Sequence, residues 1–167
     1  MSGGAIAPDI KRKWYGLAQR HLRMATRLLR RGFADGATFH TYHAFECILS
    51  AHIAASGYDV PPEGWTKLNT PSGKTVKAYP SPGGGIQEKA AHKARLVFFD
   101  EVADRTKPYF ATYSTLSRFL TVAARNDALY YDATSDLLPQ QRYPPAQVTG
   151  LLPMVHRFAR EVWREIR

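Results

Sequence analysis

The stretch that decides the fold is PDIKRKWYGLAQRHLRMATRLLRR, residues 8–31. Ile10, Trp14, Leu17, His21, Met24 and Leu28 recur in it at alternating steps of four and three, the spacing that keeps side chains on one face of an α-helix. Asp9 is a candidate N-cap and Gly32 a candidate stop. Placed at about 100° per residue, Tyr15, Ala18, Leu22, Ala25 and Leu29 widen the apolar face on one flank, while Lys13, Arg20, Arg23, Arg27 and Arg30 gather on the opposite side. About half of this helix is apolar, more than a single neighbouring helix covers, so the pattern calls for a bundle.

Working outward, the short linker FADG leads into a second helical pattern over about residues 36–56, where Phe39, Tyr42, Leu49 and Ile53 line one side and Phe45, Ile48 and His52 the next. A linker of that length implies an antiparallel pair. Residues 57–86 change character: five prolines and six glycines mark a long loop, within which WTKLN and TVKAY flank TPSGK as a candidate β-hairpin. Helical pattern resumes at about 87 with QEKAAHKARLVFFDEVADR and breaks near Pro108. It runs again from 109 through Phe110, Tyr113, Leu116 and Leu120 to Arg125. After a polar, proline-containing stretch, a last helix starts near Pro145 and buries Val148, Leu152, Val155, Ala159, Val162 and Ile166. The expected architecture is one all-α domain over residues 1–167, an up-and-down bundle of four to five helices.

The 167 residues carry 23 basic and 14 acidic side chains, a net charge of +9. Eight of the cations, Lys11, Arg12, Lys13, Arg20, Arg23, Arg27, Arg30 and Arg31, fall between residues 11 and 31 with no acid among them. The excess is therefore local, and solvated faces ordinarily mix signs. An unmixed stripe points to a polyanion, because each phosphate neutralised releases counterions. The single cysteine, Cys47, excludes an intramolecular disulfide framework. No run of apolar residues reaches membrane-spanning length and MSGGAIAPD is no signal peptide, so the chain reads as soluble and cytoplasmic.

Other motifs read as structural. LNTPSGKT, residues 68–75, resembles a phosphate-binding loop but has Leu68 where the first glycine belongs. His40 and His43, one helical turn apart, lack an identifiable third ligand and read as packed histidines; His21 reads as a satisfied core histidine. Asp100, Glu101 and Asp104 read as a solvated acidic face. Neither a metal nor a cofactor is expected.

Taken in order, HAFECILSAHI, AAHKARLVFF and LSRFLTVAARNDALYYD resemble the HEPN superfamily of helical domains over roughly residues 10–167, the loop excepted. That resemblance implies a homodimeric helical bundle that binds RNA, and membership of a group rich in metal-independent endoribonucleases of defence and toxin–antitoxin systems. The catalytic signature of those nucleases is an arginine, often followed by asparagine, with a histidine four to six residues later. Arg125 and Asn126 match its start, but the histidine positions read Tyr130, Tyr131 and Asp132. The chain is thus a degenerate or unconventional member by this resemblance, with His92 as the candidate substitute base and Tyr130 and Tyr131 next. Alternating helix directions put Lys11, Arg12, Lys13, His52 and His92 at the end of the bundle where Arg125 stands. The homodimer expectation rests also on the flank of Tyr15, Leu22 and Leu29. The alternative is a non-catalytic scaffold or regulatory module that uses the wide apolar face of the first helix against another protein.

Overall fold

The structure, a computed structural model, describes residues 9–58, 67–69, 75–77, 88–121 and 145–167, with side chains described throughout except in the two short strands and residues 88–94. Five helices appear there: α1 (Asp9–Arg30), α2 (Ala34–Ala55), α3 (Glu88–Val102), α4 (Pro108–Phe119) and α5 (Pro145–Ile166). Between α2 and α3, β1 (Lys67–Asn69) pairs antiparallel with β2 (Thr75–Lys77), Leu68 opposite Val76. The described residues are all-α apart from this hairpin, as the periodicities require.

Each helix end has a local cause. Past Arg30, Gly32 takes φ +84°, a left-handed conformation without steric cost for glycine, and the Arg31, Gly32 and Phe33 amides donate to the carbonyls of the last turn of α1. Asp9 stands within the first turn of α1, where it pairs with Lys13 at 2.9 Å. Helix α3 stops at Val102, short of Pro108. Asp104 Oδ1 there accepts from the Thr106 amide at 2.9 Å and the Thr106 hydroxyl at 2.7 Å, a turn that hands the chain to Pro108 in the first turn of α4. Helix α4 ends at Phe119, whereas the apolar spacing alone carries it on to Arg125.

Side-chain contacts set the directions. His21 meets His40 and His43, and Gly36 meets Leu28, so α1 and α2 are antiparallel. Tyr15 stacks on Trp163 with centroids 4.2 Å apart and Lys11 Nζ donates to the Ile166 carbonyl, so α5 runs antiparallel to α1. Arg95 lies beside Glu46 and Phe99 beside His52, so α3 runs parallel to α2. That departs from strict alternation: the long connection between α2 and α3 returns the chain to the end where α2 began. The start of α4 therefore joins the end of α2, with Tyr109 against His52.

The core forms where these helices converge. Phe45 and Phe99, from α2 and α3, each make ring contact with both Tyr113 of α4 and Phe158 of α5, which also touch each other, and all four are at most 6% exposed. Burying such rings contributes about 1.5–3 kcal/mol each, and tilted aromatic pairs add to that. Helix α2 is covered on every side, with even Glu46, Ser50 and His52 buried. The flank of Tyr15, Leu22 and Leu29 is not a free surface. Leu22 is fully buried, Leu29 packs on the core and Tyr15 is taken by Trp163.

Candidate nucleic-acid interface and adjoining polar cavity

Because α2 and α5 cover the apolar half of α1, its other half faces solvent. Arg12, Arg20, Arg23, Arg27, Arg30 and Arg31 are all exposed. At 100° per residue the five within α1 fall within an arc of about 80°, Arg31 following just past its end, and Arg12 and Arg30 stand about 27 Å apart along the axis. None of these six forms an ion pair with a described residue, whereas Lys13 is held by Asp9 and Lys11 is drawn to the C-terminal turn of α5. On the α5 side Arg160 lies close enough to act on the Tyr15 hydroxyl, which extends the cationic surface over the α1/α5 seam. The opposite border of the arc carries half-exposed Leu17 and Met24.

Beyond that border α1, α2 and α3 enclose a cavity of about 340 Å³. Its floor is an ion pair that sequence reading missed. Glu46 and Arg95 are 6% and 5% exposed, and Arg95 Nη1 stands 3.7 Å from Glu46 Oε1. The Tyr42 hydroxyl donates to the same oxygen at 3.3 Å, His43 Nδ1 lies 3.6 Å from Oε2, and the Arg95 guanidinium sits 5.9 Å from the centre of the Trp14 ring. The signal was present in the sequence: one carboxylate inside the apolar run FECILSAHI and one guanidinium inside KARLVFF are each too costly to bury alone. Ser50, fully buried, also lines this cavity, and its hydroxyl has no hydrogen-bond partner among the described residues. Cys47 lines it as well; burial and the nearby Glu46 carboxylate push its thiol up to about 12, so it stays protonated at pH 7.

A second cavity of about 320 Å³ shares Leu17 and His21 with the first and reaches Arg20, Met24 and His40. His21 Nδ1 and His40 Nδ1 are 2.9 Å apart, one donating and the other accepting. Burial holds both imidazoles below the ordinary histidine range, His21 further through the nearby His40 and Arg20, so both stay neutral at pH 7. Among the described residues no three His, Cys, Asp or Glu side chains are placed to hold a metal ion.

The opposite end of the bundle holds Lys11, His52, Lys107, Tyr109, Asp104 and Glu165 around a cavity of about 420 Å³. The Asp104 amide donates to the Tyr109 hydroxyl at 2.9 Å, and the hydroxyl meets His52 Nε2 at 3.0 Å. Lys107 pairs with Glu165 at 2.9 Å. Sequence reasoning grouped Lys11 and His52 with the end of α4; the structure groups them with its start. His92 falls in α3 one turn before Arg95, and its side chain lies outside the described residues. Arg125, Asn126, Tyr130 and Tyr131 lie outside them too. The acids taken as a solvated face behave so, Asp100 pairing with Arg105 at 3.0 Å and Asp104 closing its turn.

No protein family, no curated protein and no solved structure matches this chain. Among the described residues no helix is long and apolar enough to cross a membrane.

Proposed function

We propose that the protein is an RNA-binding domain of HEPN type, with the outer face of α1 as its contact surface. The observation that carries this reading is the run of six exposed arginines with no acid set against them among the described residues. Guanidinium groups suit phosphate oxygens through paired donors in one plane, and a row of them on one helix neutralises successive phosphates along a strand. The scaffold alternative, and the homodimer expectation in part, drew on the apolar flank of α1, which α5 occupies. Nothing comparable favours those readings.

The deciding experiment compares the protein with the triple variant Arg20→Glu, Arg23→Glu, Arg27→Glu on single-stranded RNA over a range of salt. The wild type shows a linear fall of log affinity with log salt; the variant binds more weakly, with a slope shallower by about 2, since each lost phosphate contact removes about 0.7. Equal affinity and slope would leave the arc as a merely solvated face. Incubation with end-labelled RNA in EDTA then separates binding from the metal-independent cleavage that the HEPN resemblance implies. Fragments ending in cyclic phosphate assign a nuclease, and intact RNA a binding domain. Arg125→Ala serves as the control, expected to weaken binding or cleavage by about 1.5–3 kcal/mol, the loss of one charge-assisted contact.

A further inference from the structure

The half-buried histidines that face each other between α1 and α2 have the chemistry of an anion receptor. We propose that His21, His40 and Arg20 form a phosphate-binding site in the cavity they share, one that takes up a proton as the phosphate binds. The phosphate belongs either to RNA lying on the arginine arc, in which case the site rests on the RNA reading above, or to a free nucleotide. The two rings meet through Nδ1 atoms 2.9 Å apart while their centres stand 5.2 Å apart, so each aims Nδ1 at the other and turns Nε2 outward. That bond fixes the tautomers. The ring that donates from Nδ1 keeps an unprotonated Nε2, and the ring that accepts at Nδ1 carries its proton on Nε2. Neither Nε2 bonds to a described residue, and neither is sealed from solvent.

One added proton enters at the unprotonated Nε2 and leaves the pair intact. Both outer nitrogens then donate, the inner bond becomes charge-assisted, and the pair carries one positive charge. Whichever ring meets a phosphate oxygen offers it an N–H. Arg20, exposed and without an ion pair among the described residues, lines the same cavity and adds its planar set of donors. Leu17 and Met24, half exposed, form the apolar wall and keep water from screening the charges that meet there. At about 320 Å³ the cavity is at the small end of ligand pockets, with room for a phosphate and its sugar. A histidine pair that only filled the core would be closed off, whereas this one opens beside the arginine arc.

The charges around the pair set its pH range. Burial keeps both rings neutral at pH 7 in the free protein, helped at His21 by His40 and Arg20 and opposed by Glu46. The His43 ring of α2 stacks on His21 at 5.4 Å, and α3 presents Arg95 beside Glu46. No described side chain of α4 or α5 lines this cavity or the one adjoining it. A bound phosphate favours the charged pair, so affinity rises as the pH falls below neutrality and levels off once the free pair is itself charged.

The test begins on the wild-type protein, so that folding of variants is not in question. Calorimetry with a uridine oligomer bearing a 5′-hydroxyl, whose bases and phosphodiesters do not titrate in this range, is run in two buffers of different ionisation enthalpy. It is expected to show proton uptake approaching one per oligomer near about pH 6, with affinity rising by up to about tenfold per unit of pH lowered. Long-range nitrogen NMR of the free protein should find one ring protonated at Nδ1 and the other at Nε2. His21→Gln and His40→Gln, checked for folding by circular dichroism, should lose the uptake, while His156→Gln on α5 keeps it. UMP binding that the two glutamine variants abolish assigns the site to a free nucleotide; proton-linked binding of the oligomer with no binding of UMP assigns it to RNA. Salt-dependent oligomer binding without proton uptake, uptake unchanged in both glutamine variants, or two rings of the same tautomer overturns the phosphate site and leaves the RNA reading intact. UMP binding lost in the variants, without salt-dependent RNA binding, does the reverse. Binding of neither ligand overturns both.

Discussion

Single residues in this fold divide into those whose setting is costly and those whose setting is not. His52 belongs to the first group. Asp104 N–H donates to the Tyr109 oxygen, and the Tyr109 hydroxyl can then donate to His52 Nε2, a chain that suits the neutral imidazole. Burial lowers this histidine from 6.5 to about 4, Glu165 offsetting only part of it; Lys11, Lys107 and Asp104 line the same cavity. A folded-state value below the unfolded one means that the unfolded chain binds the extra proton between them. The stability is therefore intact above pH 6.5 and lost as the pH falls toward 4. At 1.36 kcal/mol per unit the loss is on the order of 3 kcal/mol. Urea unfolding at pH 7 and at pH 4.5 should show most of it in the wild type. His52→Gln should be less stable at pH 7 and lose clearly less on acidification; an equal loss in both proteins would mean that His52 does not titrate this way. Phe99, fully buried among His52, Tyr109, Tyr113 and Phe158, should cost about 3–5 kcal/mol when changed to Ala, read as a lower urea midpoint.

At the scale of elements, α1 is held by its hinge and by its two neighbours. Gly32 sits at φ +84°, so Gly32→Ala should destabilise by about 1 kcal/mol through strain alone, there being nothing within 4 Å for the new methyl group to meet. Gly16 lies in the exposed middle of α1 with equally open space. Gly16→Ala should therefore stabilise by about 0.5–1 kcal/mol, the two opposite changes in melting temperature forming one test of the helix boundary. The helices themselves were legible where their periodicity was long: α1, α2 and α5 lie within two residues of their sequence-based spans. Helix α3 was read too long because VADR continues the apolar spacing, and the Asp104 turn, a hydrogen-bonding effect that hydrophobic periodicity does not record, ends it. The direction of α3 was not legible at all. A connection as long as 56–87 allows either sense, and what fixes it is the burial of Phe98 and Phe99 and the meeting of Arg95 with Glu46, contacts between segments far apart in sequence. The same non-locality hid the candidate pocket. Its residues were all in view, but His43, Glu46 and Arg95 meet only when α3 lies alongside α2.

For the whole molecule the charge distribution opposes two stabilities. Five exposed arginines within about 27 Å on α1, with Arg31 just past its end, repel one another, so the free protein is less stable at low ionic strength than its core alone would make it. A polyanion that binds only the folded arc reverses this. At a hundredfold excess over its dissociation constant it adds about 2.7 kcal/mol. In a domain of this size that is a rise in melting temperature of about 5–10 °C. Mixed-sequence single-stranded RNA should produce such a rise at low salt and progressively none as salt is raised, because counterion release supplies most of the affinity. The triple variant at Arg20, Arg23 and Arg27 should invert both effects. Its free form should melt higher than the wild type at low salt, since the carboxylate at position 27 faces Arg30 and Arg31 three and four residues on, and like-charge pairs at that spacing along the face fall from four to two. Added RNA should then shift it little. A wild type that melts at the same temperature with and without RNA, or a variant that responds as the wild type does, would sever the link between the arc and RNA. A variant that loses the RNA response while melting higher when free would show that this surface gives up stability in the free protein and regains it on binding, which is the sign of an interface and not of a solvated face.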